Sequence, residues 1–366
     1  MKLLLVAGAR PNFMKIAPVI RAMNARNDVE WKLVHTGQHY DYEMSQSFFD
    51  DLEIPEPDYF LDVGSGSHAA QTAATMVRFE EVCQQWRPDI VMVVGDVNST
   101  LACSIVAKKM GIRVAHVEAG LRSFDLEMPE EINRMVTDSI SDFFFVTEQS
   151  GVDNLLQEGK EASRIHFVGH VMIDNLLYQV EKMRHAPASG FTHAGLKQKL
   201  GRYIFLTMHR PSNVDDPEVL GGIVNALNHI SEHTPVVFPV HPRTRKMLDN
   251  FDLHFSEHVH CLSPLGFKEA LYLWKDAVLV LTDSGGLQEE TTALGVPCIT
   301  MRDNTERPIT CEIGTNQLVG NDPDKIEAAV NLVLSGKGEP GSIPPMWDGL
   351  ASERIVAQLV ETYSSR

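Results

Sequence analysis

Short, unbroken apolar runs alternate with segments of helical period along this chain. The runs fall at residues 2–7, 32–36, 90–94, 114–118, 143–147 and 165–168. A second set follows at 203–208, 236–240, 259–263, 277–282 and 297–301. A strand with no polar alternation is buried on both faces. Helix-period segments, among them 100–110, 131–141, 217–231, 268–274 and 323–334, lie between the runs. This rhythm predicts an α/β chain whose sheets are parallel and covered by helices on both sides. The rhythm restarts near Tyr203, after a polar stretch carrying Pro187, Gly190 and Gly195. A boundary is therefore expected between Gly169 and Gly201. It gives a domain 1–170 and a domain 171–348, each doubly wound. After a Gly- and Pro-rich loop the tail reads as a helix, and residues 349–366 are expected to join the first domain.

With 49 acidic and 32 basic side chains the net charge is −17. Such a balance argues against an extended nucleic-acid partner, which draws on clustered Lys and Arg. A small anion held by a few local cations stays compatible. Five cysteines, none in a C-x-x-C, point away from a disulfide framework or a zinc site and toward a reducing compartment. The opening apolar run is broken by Arg10 and Pro11, unlike a secretory leader. No run approaches the roughly 18 residues of a membrane span. A cytoplasmic protein without a membrane partner is expected.

In a doubly wound sheet, ligands bind beyond the carboxyl ends of the strands, so polar residues just after an apolar run are the candidates. Gly8, Arg10 and Lys15 follow the first run. They suit either a phosphate contact or a plain strand–helix turn with solvated charges. Asp96 follows the run at 90–94, as a helix cap or a catalytic carboxylate. Glu118 ends the run at 114–118, and Glu130 and Arg134 open the next helix. Acids in a first turn are favoured by the helix dipole alone. Asp96, Glu118 and Glu130 together at successive element ends fit acid–base work on a substrate. His209 and His241 end two runs of the second half. A lone histidine is usually structural, whereas two at equivalent strand ends point to a ligand. Ser284, Gly285 and Gly286 lie between a run and a helix, leaving bare N–H groups suited to a diphosphate. Glu290, one turn in, can accept from ribose hydroxyls, and Arg307 offers a further anion contact. The stretch from Gly64 to Ala69 matches the loose pattern G-x-G-x-x-A. It follows only a weak strand at 60–63 and lacks the acid of a dinucleotide site.

The segments GARPNFMKIAP, HTGQH, GDVNST, HVEAGLRS, MPEEINR, HRPSNVD, PVHPRT, LTDSGGLQEE and NTERP occur in this order from Gly8 to Pro308. The set resembles the non-hydrolysing UDP-N-acetylglucosamine 2-epimerases over nearly the whole chain. The resemblance implies the GT-B architecture: two Rossmann-like domains with the active site in the interdomain cleft. It implies a UDP-sugar substrate, a homodimer, and neither metal nor other cofactor. It places Arg10, Lys15, His209, Ser284, Gly285, Gly286, Glu290 and Arg307 on the UDP-sugar, with Asp96, Glu118 and Glu130 as essential carboxylates. Arg134 and His241 match as well. The implied reaction expels UDP, passes through 2-acetamidoglucal and re-adds UDP on the epimerised sugar.

Two departures stand out. Ala270 occupies the position of a phenylalanine near the uracil in bacterial members. Asp41 stands where a second glutamine, partnering Gln38, would serve an allosteric site. The segments GARPNF and HTGQHYDYEMS also resemble a branch acting on UDP-2,3-diacetamido-2,3-dideoxy-glucuronate. Beyond epimerisation, a GT-B glycosyltransferase and a non-catalytic UDP-sugar sensor are the competing classes.

Overall fold

The computed structural model describes residues 1–37, 49, 52–338 and 340–364, and of Arg10 the backbone alone. Gln38 and Asp41 lie outside the described residues. The chain forms two compact units, 1–177 with 345–366, and 178–344.

In the first unit the strands are β1 (Lys2–Ala7), β2 (Glu30–His35), β3 (Tyr59–Phe60), β4 (Ile90–Val94), β5 (Arg113–Val117), β6 (Phe143–Val146) and β7 (Ile165–Phe167). They pair in the order β3-β2-β1-β4-β5-β6-β7, every pair parallel. Side chains alternate between the faces of a strand. Leu3, Leu5, Ala7, Ile90, Met92 and Val94 accordingly enter one core cluster, with Ile16 and Ile20 of the helix Arg10–Asn24. Leu4, Val6, Val91 and Val93 enter a second, against Phe79 and Val82 of the helix His68–Trp86. Because both faces are covered, these strands carry no polar alternation.

The second unit repeats the plan. Its strands are β8 (Ile204–Thr207), β9 (Val236–Pro239), β10 (Val259–Leu262), β11 (Leu279–Thr282), β12 (Cys298–Thr300) and β13 (Asn316–Leu318). Their order is β10-β9-β8-β11-β12-β13, again all parallel. In each sheet the order reverses at one place, between β1 and β4 and between β8 and β11. The helices after those two strands leave to opposite faces, opening a crevice at the strand ends.

The strand boundaries differ from the sequence pattern for local reasons. The run at 114–118 leaves the ladder after Val117 because Glu118 has φ +69°. The weak strand read at 60–63 is a two-residue edge strand at 59–60, and residues 316–318 form an edge strand that the apolar pattern did not reveal. The stretch 64–69 is the entry to the helix His68–Trp86, whose first turn is capped by Ser67 accepting from the Ala70 N–H at 3.2 Å. No helix among the described residues is long and apolar enough to cross a membrane.

The last helix, Ala351–Ser364, places Ile355, Val356 and Leu359 in the core cluster beneath β1. Its N-terminus is capped from a distant segment. The buried Asp174 carboxylate accepts from the Ala351 N–H at 3.1 Å, and from the Ser352 N–H and hydroxyl at 2.6 Å each. Asp174→Ala strands those donors and is expected to cost about 2–3 kcal/mol. Urea unfolding of the first unit should shift to lower concentration, and an unchanged midpoint would overturn this role.

Candidate functional site

In the first unit the rim is built around the crevice between β1 and β4. Ala9, at the N-cap of the helix Arg10–Asn24, has no capping side chain, and Asn12 takes over. Its Oδ1 accepts from the Gly8 and Ala9 N–H groups at 3.2 and 3.0 Å, while its Nδ2 donates to the Val94 carbonyl at 3.1 Å. One helical turn on, Lys15 forms a close ion pair with Glu118, the side chains only 12% and 5% exposed. Glu118 holds a left-handed backbone, uncommon for a residue with a β-carbon and concentrated at functional sites. Gly95 has φ +67°, and a Cβ there would stand 3.2 Å from Lys15 Nζ, so glycine leaves room for the pair.

Behind Glu118 lies a polar network that the sequence did not reveal. His116 is fully buried, with Nδ1 2.7 Å from Asp138 Oδ1 and Nε2 2.9 Å from the Gly95 carbonyl oxygen. Asp138 also accepts from the Gly120 N–H at 3.0 Å and pairs with Arg122 at 2.8 Å. Burial alone would raise this carboxyl, but His116 and Arg122 outweigh it and hold Asp138 below the usual carboxylate range. The network ties the loops after β4 and β5 to the helix Pro129–Ile140.

Asp96 is half-buried and paired to Arg134, which also contacts Glu131 at 2.6 Å. Glu131 in turn accepts from the Ser123 and Phe124 N–H groups at 3.0 and 3.1 Å. Glu130, one residue earlier, is exposed and has no hydrogen bond or ion pair with a described residue. The carboxylate that engages Arg134 in this structure is therefore Glu131. Two adjacent acids open the helix, and only tertiary contacts distinguish them.

In the second unit the crevice between β8 and β11 is closed by Asp283, which is fully buried. Its Oδ2 accepts from the N–H groups of His209 and Arg210 at 2.8 and 2.7 Å, and from Asn213 Nδ2 at 3.2 Å. His209 Nδ1 lies 3.0 Å from Asp283 Oδ1, within ion-pair reach. Burial would raise the Asp283 carboxyl, but these contacts, His209 first, lower it below its ordinary value. The His209 and His241 rings are 5.2 Å apart. His241 caps the helix Pro242–Asn250, its Nδ1 accepting from the Arg243 N–H at 3.2 Å. Burial and then the neighbouring His209 lower its pKa.

Ser284 precedes the helix Gly285–Leu294, and its hydroxyl makes no capping bond. The first-turn N–H groups of that helix thus lack a side-chain cap, as an anion site requires. Arg307 Nε is 3.0 Å from Glu289, on the same helix. Glu290 is half-buried beside Glu289, and desolvation followed by Glu289's charge pushes its carboxyl up to about 8. Of the predicted residues, the structure thus joins Lys15 with Glu118, Asp96 with Arg134, and His209 with His241, while Glu290 lies on the helix that the Ser284 turn opens. Asp283, Asp138, His116 and Glu131 were not singled out. Asp283 alone carried a signal, as an acid between a buried strand and a glycine turn.

A family model described as UDP-N-acetylglucosamine 2-epimerase matches residues 21–360. The chain is 43% identical, over 97% of its length and 98% of the relative's, to the UDP-N-acetylglucosamine 2-epimerase of Methanocaldococcus jannaschii. A crystal structure of the enzyme from that organism, in complex with UDP-GlcNAc and UDP, superposes with a TM-score of 0.80 at 42% identity, covering 99% of this chain and 100% of the other. The UDP-2,3-diacetamido-2,3-dideoxy-D-glucuronate 2-epimerase of Pseudomonas aeruginosa is 41% identical, over 99% of this chain and the whole of that protein.

The raised Glu290 carboxyl has a consequence for stability. Between the ordinary carboxylate value of about 4.3 and its folded value of about 8, the native state binds a proton that the unfolded state releases. Its contribution therefore declines as pH rises through that window. Glu290→Gln, which cannot ionise, is expected to raise the ligand-free Tm more at pH 8 than at pH 5. A Tm difference independent of pH would overturn the assignment.

Proposed function

The chain belongs to the UDP-N-acetylglucosamine 2-epimerase family, and from that premise we propose that it inverts C2 of UDP-N-acetylglucosamine to give UDP-N-acetylmannosamine. The observation that carries this reading is the anion seat of the second unit: Asp283 fixes His209 beside the uncapped turn at Ser284, Gly285 and Gly286. A C2 hydrogen with no neighbouring ketone is weakly acidic, so simple deprotonation to a carbanion is slow. Removing it as the C1–O bond to UDP breaks yields 2-acetamidoglucal and UDP instead. Protonation at C2 on the other face, with return of UDP to C1, gives the epimer.

Each unit supplies one part of this chemistry. Glu118, held by Lys15, and Asp96, held by Arg134, serve the proton transfers at C2, with Glu130 as the third carboxylate of the set. His209, its Nδ1 occupied by Asp283, directs Nε2 at the departing diphosphate. The N–H groups after Ser284 and the arginines Arg10 and Arg307 stabilise the charge that develops there. Glu290, Lys15 and His241 complete the UDP-sugar contacts. A carboxyl that is uncharged at neutral pH, as Glu290 is poised to be, binds a ribose hydroxyl without repelling the phosphates. A second reading keeps the reaction and changes the sugar to the diacetamido uronate, supported by the full-length likeness to the Pseudomonas relative.

Incubation in D2O is expected to place deuterium at C2 of the product, and product without deuterium would sink the elimination route. The ratio of kcat/KM for the two nucleotides separates the two readings. Asp96→Asn and Glu118→Gln are each expected to lower kcat by about 10²–10⁴-fold in protein that still folds, with a lower Tm in Glu118→Gln because Lys15 loses its buried partner. Full turnover in either variant removes that residue from the chemistry. The proposed setting is cytoplasmic polysaccharide biosynthesis by a homodimer. The exposed apolar side chains Ile132, Met135 and Val136 on the helix Pro129–Ile140 support self-association. Light scattering should give about twice the chain mass of 40.8 kDa, and a monomer would reject it.

A further inference from the structure

The anion seat of the second unit already holds a carboxylate. Glu306 Oε1 lies 3.1 Å from where a Cβ on Gly285 would stand, at the first residue of the uncapped helix Gly285–Leu294. Its other oxygen, Oε2, accepts from Arg302 Nη2 at 2.7 Å, and Arg210 Nη2 is 3.6 Å from Oε1. Arg302 follows β12 on the rim and is nine-tenths buried, its side chain 9% exposed. A guanidinium so enclosed needs an anionic partner. Yet its Nη1 has no hydrogen-bond partner among the described residues, and it sits 3.9 Å from that same Gly285 position. Glu306 itself is 49% exposed, so it can swing into water while Arg302 stays in place.

Two guanidiniums and the positive end of a helix therefore surround one carboxylate, and Arg302 Nη1 beside it is left without an acceptor among the described residues. A diphosphate, with a higher charge and more acceptor atoms, matches the seat better than a single carboxylate does. The two anions cannot share the seat, because like charges a few ångströms apart repel strongly in a partly desolvated site. We propose that Glu306 is a resident counter-anion which the diphosphate of the substrate displaces, and that Arg302, released by that displacement, becomes a diphosphate ligand. The proposal rests on the UDP-sugar reading above and adds residues that this reading did not contain. Its consequence is a competition. Glu306 neutralises the arginines in the empty protein and lowers the affinity for UDP, which aids release of the nucleotide product.

Calorimetric titration with UDP and with uridine tests it on the full chain. Removing one competing charge is expected to tighten UDP binding about tenfold in Glu306→Gln, whereas neutral uridine binds that variant and wild type alike. Arg302→Gln is expected to weaken UDP about tenfold, and in that background the gain from Glu306→Gln should shrink. Glu306→Asp keeps the charge but shortens its reach and should fall between wild type and Glu306→Gln, which provides a measurement should Glu306→Gln fail to fold. UDP affinity that is unchanged or weaker in both Glu306 variants, with a native melt, overturns the displacement. UDP affinity unaffected by Arg302→Gln overturns the ligand role. Wild-type protein that fails to bind UDP overturns the functional reading itself, so the two failures are distinct.

Discussion

Parallel strand pairing is the constraint on which both units depend. Each parallel strand must be entered from the same edge, so the chain returns through a helix after every strand and each strand end faces one rim. At the reversal of strand order the flanking helices part, and backbone groups there lose the cover that helices give elsewhere. The two units meet this need in the same way, with one polar side chain tying the loops on either side of the gap. Asn12 binds Gly8 and Ala9 after β1 and reaches the end of β4. Asp283, after β11, gathers the N–H groups of His209 and Arg210 after β8. These bridges hold the loops that carry the candidate residues.

An acidic chain that binds a diphosphate is no contradiction once distances are considered. Exposed charges more than about 8–10 Å away are largely screened at physiological salt. In the proposed seat, the groups that would decide anion binding are therefore the nearest ones: the first-turn N–H groups after Ser284, and Arg210 and Arg302 beside them. The same locality shapes the first unit. Lys15 and Arg134 are each committed to a carboxylate, Glu118 and Asp96, so that rim presents paired carboxylates rather than a bare negative field.

The strands were legible because burial on both faces leaves a continuous apolar run, which few other arrangements produce. Short edge strands were less so: β3 showed only as a weak run and β13 not at all, since two or three residues carry no period. The candidate residues were legible for the same topological reason: they lie at the end of a run, in the loop after it or early in the next helix. Their partners were harder to see. Glu130 and Glu131 are equivalent in a first helical turn, and only the Ser123 and Phe124 N–H groups single out Glu131. Asp283 finds its partners more than seventy residues away, and the His116–Asp138 pair joins a strand to a later helix. Glu118 read as the end of a strand, but its left-handed backbone takes it out of the ladder and turns the carboxylate to Lys15. Polar tertiary contacts of this kind have no period along the chain.

In the proposed reaction, the base faces a proton it cannot remove alone. The C2 hydrogen is weakly acidic, so its removal by Glu118, ion-paired with Lys15, is a poor route as plain deprotonation. It becomes reasonable if proton loss is coupled to departure of UDP, because the barrier then depends chiefly on how well the developing diphosphate charge is received. The ion pairs of Glu118 and Asp96 hold both carboxylates in place, and orientation of that kind is worth several kcal/mol in a unimolecular step. The larger electrostatic contribution falls to the second unit, where Asp283 sets His209 and the helix Gly285–Leu294 offers its N–H groups before any ligand arrives. Donors held in place in this way need not reorganise as charge moves onto the leaving group, and it is this preorganisation that gives an oxyanion site its advantage over water.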